Sequence, residues 1–203
     1  WALHPYAPSR NIGPSGINVT PEDNRMRENL LEAEKIIKEH GGRHRLWIGE
    51  LGWAITANNP SFVSGYSRQH SELMTRALIL AHSVPTLEHI FWFTARGTLE
   101  GGYEYGMWKD ERRPLPAVAA FATITRMLDG ATPVRPLYES DLRAYAFRTK
   151  KGSPVIAIWK SAGEATELIV NVKPDAIRLT DMVCVDCAVE TRGKGIVIPL
   201  SGS

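Results

Sequence analysis

The pattern of apolar and polar positions changes character near residue 130. Before that point, amphipathic stretches at the helical period alternate with short apolar runs. Thr20 suits a helix N-cap, Pro21 the first turn and Asp23 a weak capping-box acid, which predicts a helix over residues 18–42. Met26, Leu30, Ala33 and Ile37 follow the helical repeat, Leu31 and Ile36 widen the apolar stripe, and Gly41-Gly42 offers a left-handed stop. Residues 45–51 then read as a short strand ending at the carboxylate of Glu50. The same periodicity predicts a second helix over 67–83, with Leu73, Ala77, Leu80 and Ala81 facing inward. A strand over 87–93 follows, then a glycine-rich loop over 97–106 and a third helix over 116–128, closed by Asp129-Gly130. The opening Trp1-Ala2-Leu3-His4-Pro5-Tyr6 reads as the end of a strand running into a loop. Strands spaced by amphipathic helices imply a parallel sheet with right-handed crossovers.

After Gly130 the period shortens. Residues 142–148 alternate, 155–159 form a buried-strand run, 167–172 alternate again, and 177–179 and 195–200 complete the set. Short strands separated by Gly, Pro and Asp predict a small antiparallel sheet or sandwich. The expected organisation is therefore an α/β part over 1–130 and an all-β part over 131–203, without internal repeats or low-complexity tracts.

Composition narrows the partners. The 203-residue chain is 43% hydrophobic, enough for a real core, and its net charge of +2 makes no electrostatic case for nucleic acid or an anionic membrane. No apolar run approaches the roughly 20 residues needed to span a bilayer. The chain opens on Trp1 with no charged-then-apolar leader, which suggests either leader removal or a start partway through a larger protein. Cys184 and Cys187 form a C-x-x-C spacing in a strand-rich region. A zinc site needs about four ligands, and no second pair is present, so packing or an incidental disulfide is the expectation. Nothing in the sequence calls for a metal or another cofactor.

In parallel α/β folds, function gathers at the carboxyl ends of the strands. Three such ends are legible: His4 and Tyr6 at the first, Glu50 followed by Gly52 and Trp53 at the second, Trp92 and Thr94 at the third. Each has an ordinary reading as well, Glu50 as a surface acid and Trp53 and Trp92 as core aromatics. Together they suit a sugar site, because aromatic faces stack on pyranose rings and a carboxylate can attack an anomeric carbon.

Leu3-His4-Pro5-Tyr6, Trp47-Ile48-Gly49-Glu50-Leu51-Gly52-Trp53 and Phe91-Trp92-Phe93-Thr94 resemble the sixth, seventh and eighth strands of clan A glycoside hydrolases of the family 39 and family 5 type. The segment from Tyr105-Gly106-Met107 to Arg113-Pro114-Leu115-Pro116-Ala117 is similar to their link into the last helix, and the later strands to their small closing β-domain. The resemblance implies the last three βα units of a (β/α)8 TIM barrel, followed by a small antiparallel β-sandwich. It also implies hydrolysis of O-glycosidic bonds with retention, in a plant or microbial oligo- or polysaccharide. Glu50 matches the nucleophile, His4 and Tyr6 match residues that orient it and line the subsite, and Trp92 matches the platform under the sugar; Trp53, at the same strand end as Glu50, is the further substrate-binding candidate. A secreted or periplasmic location is implied in the same way.

One departure is large. The family's acid/base glutamate belongs to the fourth strand, and this chain reads as starting at the sixth. A retaining pair needs carboxyl groups about 5–5.5 Å apart, and Glu88, Glu100 and Glu104 do not match the acid/base position. The expectation is an isolated chain with little or no activity, partnered by its missing amino-terminal barrel fragment or by copies of itself in a homo-oligomer. The alternative is a carbohydrate-binding or self-assembling module without catalysis.

Overall fold

The computed structural model describes residues 1–6, 20–43, 45–53, 55–56, 66–97, 99–100, 103–110, 112–174 and 177–201. It has two compact units, Trp1–Arg126 and Met127–Ser203. The first holds, in chain order, β1 (Ala2–Leu3), α1 (Met26–Glu39), β2 (Leu46–Leu51), β3 (Ile55–Thr56), α2 (Tyr66–His82), β4 (Leu87–Trp92), β5 (Leu99–Glu100), β6 (Tyr103–Glu104), β7 (Trp108–Asp110), β8 (Arg113–Pro114) and most of α3 (Pro116–Leu128). The second holds β9 (Thr132–Glu139), β10 (Leu142–Arg148), β11 (Pro154–Lys160), β12 (Thr166–Val170), β13 (Glu190–Arg192) and β14 (Gly195–Leu200).

Strands β1, β2 and β4 form a parallel sheet in that order, with Leu3 opposite Ile48 and Ile48 opposite Ile90. Among the described residues the sheet has three strands and does not close into a barrel. One face is apolar and covered by helices. Leu46, Ile48 and Leu51 pack with Met26, Leu30 and Ile37 of α1 and with Leu73, Ala77 and Ala81 of α2. The other face carries Trp47, His89 and Phe91, all exposed. Among the described residues, no helix is long and apolar enough to cross a membrane.

Helix α1 starts later than its pattern predicts. Thr20 does cap, its Oγ1 accepting the Asp23 N–H at 3.1 Å and donating to the Asp23 carboxylate at 2.8 Å. The turn it caps ends at Arg25, whose φ of 50° is left-handed, and the regular helix begins at Met26. Asn18 lies outside the described residues. A bidentate pair between Glu22 and Arg76, at 2.6 and 2.9 Å, ties this turn to α2. Ile36, expected on the apolar stripe, is exposed, while Leu31 packs at the core margin. Gly41 closes the helix with φ +71°, a conformation that side chains resist.

The segment expected as a glycine-rich loop contains β5 and β6 instead, which join β3 in a small antiparallel sheet. In the second unit, β9, β10 and β11 form one antiparallel sheet and β12, β13 and β14 another. Leu142 and Ile158 of the first pack on Ile196, Ile198 and Leu200 of the second. Strand β9 was hidden in the sequence by Pro133 and Pro136. It lies at a sheet edge, where a missing N–H is tolerated, and its pairing with β10 slips at both prolines. Residues 177–179, expected as a strand, form none. Beyond them a single bridge joins Thr180 and Asp186.

Candidate active site

The site begins with an irregularity in β2. Ile48 pairs with Ile90, but Leu51 pairs with Trp92, so β2 takes three steps where β4 takes two. Strict alternation would have put Glu50 on the helix-covered side with Leu46 and Ile48. The extra residue at Gly49-Glu50 places Leu51 on the buried side and leaves the Glu50 side chain 44% exposed on the other. A bulge of this kind re-aims a side chain at the end of a strand.

Once turned outward, Glu50 meets the segment after β1. The Tyr6 hydroxyl donates to Glu50 Oε2 at 3.1 Å, and His4 Nδ1 lies 3.6 Å from the same oxygen. Among the described residues, both contacts fall on Oε2 and none on Oε1. Around them stands an aromatic wall that the sequence did not reveal. Tyr105 packs its edge on Tyr6 at 6.4 Å and on Phe93 at 5.5 Å. Its advance signal was its place at the start of the segment that resembles the link into the last helix, directly after β6.

Gly52 lets the chain after Glu50 approach closely to the main chain that follows β4. A Cβ there would stand 2.2 Å from the Phe93 carbonyl oxygen, a clash with main chain that cannot swing aside. Trp53 follows and is 3% exposed, part of the core and stacked at 6.5 Å and 12° on Trp92. Trp92 is half-buried at the end of β4, and the Phe93–Thr94 peptide is cis.

His70 of α2 is a second residue that sequence reasoning missed. It is 2% exposed and lies 6.0 Å from the Trp92 ring. Desolvation by burial pushes its pKa down to about 4, against a weaker opposing pull from the Trp53 main chain. Its place three residues before Leu73 on the inward stripe was the available clue.

The structure thus brings His4, Tyr6 and Glu50 into contact, and Trp53 into contact with Trp92. Among the described residues, no group of three or more His, Cys, Asp or Glu could hold a metal ion. Cys184 and Cys187 are both free thiols in the second unit. Glu88 lies at the opposite end of β4 from Trp92, and the side chains of Glu100 and Glu104 lie outside the described residues.

No protein-family model matches the sequence, and no curated protein matches it. The fold does have solved neighbours. One is a family 39 glycoside hydrolase from the gut symbiont Bacteroides cellulosilyticus WH2, with a TM-score of 0.69 and 19% identity. The match covers 84% of this chain and 35% of that one, so the chain spans about a third of its neighbour's length. At that identity the likeness is one of fold: a mixed α/β chain resembling part of a glycoside hydrolase.

Proposed function

We propose that this chain is the nucleophile-bearing part of a retaining glycoside hydrolase, its three parallel strands contributing to a (β/α)8 barrel. The observation that carries the reading is the Glu50 carboxylate, turned outward by a bulge and held through one oxygen by Tyr6 and His4. In this reading Oε1 is the attacking atom. It adds to the anomeric carbon as the leaving oxygen departs, giving a glycosyl–enzyme ester that water then cleaves. The Tyr6 hydroxyl fixes the carboxylate's rotation and steadies its charge before attack, and His4 flanks the same oxygen. In this reading Trp92 is the platform under the sugar ring at the end of β4, although its indole also packs with Trp53 against the helix-covered core.

The reaction needs a second carboxyl group to protonate the leaving oxygen. We assign it to polypeptide that covers the open face of the sheet, where Trp47, His89 and Phe91 are exposed. That polypeptide is the remaining strands of the barrel or, as the second possibility, another copy of this chain. Alone, the chain should not turn over an unactivated glycoside.

Covalent trapping tests the nucleophile. A 2-deoxy-2-fluoro glycosyl fluoride slows both displacement steps through its ring fluorine. Its fluoride leaves without needing a proton, so the first step still proceeds. With the barrel strands supplied, mass spectrometry should find one added glycosyl group, mapped to Glu50. Labelling of another carboxylate, or glycoside cleavage with inversion, would overturn the assignment. Sugar binding without any turnover would favour a carbohydrate-binding module.

A further inference from the structure

Beside this site, three polar atoms have no role in the chemistry just described. His70 Nδ1, His70 Nε2 and Trp92 Nε1 are all buried, and none has a hydrogen-bond partner among the described residues. They belong to one cluster: the His70 and Trp92 rings are 6.0 Å apart at 52°, and Trp92 stacks on Trp53. Buried polar groups are nearly always hydrogen-bonded, so two such side chains in one cluster call for a shared partner.

Elementary donor counting says what that partner is. The indole Nε1–H can only donate. Burial keeps the imidazole neutral, with one N–H and one acceptor nitrogen. The Trp53 main chain pulls the imidazole's pKa up, the direction that an acceptor toward its N–H produces, without meeting hydrogen-bond geometry. The other nitrogen is then an acceptor, and Trp92 offers a donor. Water is the one small group that can accept from the first and donate to the second, and such waters serve two to four buried polar groups.

We propose that one buried water joins Trp92 Nε1 to the acceptor nitrogen of His70, making His70 the positioning residue of the Trp92 ring. The water accepts the indole hydrogen and donates to the imidazole. The indole then cannot rotate without breaking the bridge, and β4 is linked through His70 to the chain just after Glu50. The water site stands on these atoms alone. Its meaning for sugar binding rests on the reading of Trp92 as a platform.

Nuclear magnetic resonance on the 203-residue chain tests it. The Trp92 indole proton should show a cross-peak to a long-lived water, and His70 should be neutral in a single tautomer. His70→Phe should abolish the cross-peak and shift the indole resonance. His70→Gln, whose carbonyl can accept from the water, should restore it, which a purely space-filling role would not. A missing cross-peak in the wild type, or one that survives His70→Phe, overturns the proposal. Should His70→Phe fail to fold, the wild-type and His70→Gln spectra decide on their own. A separate arm titrates methyl β-D-glucoside against tryptophan fluorescence. If Trp92→Ala leaves its affinity unchanged while the wild-type cross-peak is present, the platform reading fails and the water site stands.

Discussion

At one end of the three-stranded parallel sheet Glu50 meets a phenol and an imidazole, and at the other Glu88 meets a guanidinium and an indole. The inventories are nearly the same. Glu88 accepts from Trp47 Nε1 at 3.1 Å and lies 3.4 Å from Arg45 Nε, while Trp47 packs its edge on His89 at 4.5 Å. Both ends thus combine a carboxylate, a histidine and aromatic rings. What differs is how each carboxylate is engaged. Glu88 has one oxygen on a permanent cation and the other on an indole, so both are occupied. Among the described residues, Glu50 has both contacts on a single oxygen and neither partner is a permanent cation. A residue list cannot separate the two carboxylates. Under the proposed assignment, the atoms that engage them would mark Glu50 as the reactive one and Glu88 as the structural one.

The largest expected effect breaks the comparison on the Glu50 side. In the protein with its barrel strands supplied, Glu50→Gln should lower kcat by at least about 10³-fold, since loss of a nucleophile removes the covalent route. The fold should survive, because the side chain is half-exposed and amide and carboxylate are nearly the same shape. A loss of less than about tenfold, or roughly 1.4 kcal/mol in the barrier, would sink the assignment.

Beneath the two ends the histidines also differ: His70 is buried under Trp92, whereas His89 is exposed. With a folded pKa of about 4 against 6.5 unfolded, the unfolded chain binds a proton that the folded chain refuses. Stability should therefore fall as pH drops from 6.5 toward 4, by up to about 3 kcal/mol, and this contribution should flatten below 4. Urea unfolding of wild type and His70→Phe across that window should show the wild type losing stability faster. Parallel curves would mean that His70 is open to bulk water in the folded chain.

Smaller is the effect of the phenol. Tyr6→Phe deletes the donor to Glu50 Oε2 and leaves the ring against Tyr105. A hydrogen bond to a charged group contributes about 1.5–3 kcal/mol, so kcat/KM should drop by roughly 10- to 100-fold. Stability should fall by less than that contribution, because the Glu50 side chain is 44% exposed and water can replace the lost donor. Equal losses in activity and stability would make Tyr6 a packing residue rather than one that orients the carboxylate.

The sequence made the elements more legible than their facing. Helices α2 and α3 and strands β10 and β14 stood out because their apolar periods run unbroken for several residues. Leu73, Ala77, Leu80 and Ala81 are buried as their spacing requires. Periodicity failed where a single residue broke step. Arg25 in a left-handed conformation delays α1, and the extra residue at Gly49-Glu50 reverses which side of β2 the carboxylate takes. Neither carries a proline or a run of glycines to announce it. Two prolines, conversely, disguised β9, which is a strand because it needs to pair along one side only. The Tyr6–Glu50 and Trp53–Trp92 contacts join residues far apart in the chain, so the apolar pattern gave the strand ends without the contacts among them. Only the resemblance pointed to Tyr6 and His4 beside Glu50, and nothing pointed to the Trp53–Trp92 stack.

The smallest expected effect lies at the Glu88 end, where the comparison is sharpened by the absence of a catalytic consequence. Glu88→Gln keeps an oxygen for the Trp47 indole and removes the charge facing Arg45. That pair is well solvated, Arg45 being 74% exposed and Glu88 35%. Exposed ion pairs contribute about 0–1 kcal/mol, and salt weakens them further. Unfolding free energy should therefore fall by less than about 1 kcal/mol, and by less again at high salt. Turnover in the completed protein should stay within about threefold of wild type, because a change of that size is under 1 kcal/mol in the barrier. Glycoside-cleavage rates of Glu88→Gln and Glu50→Gln, measured side by side, put the contrast in one assay. A loss at Glu88 approaching that at Glu50 would mean that the reacting groups face the amino ends of the strands, and that occupancy of the two oxygens does not distinguish the carboxylates.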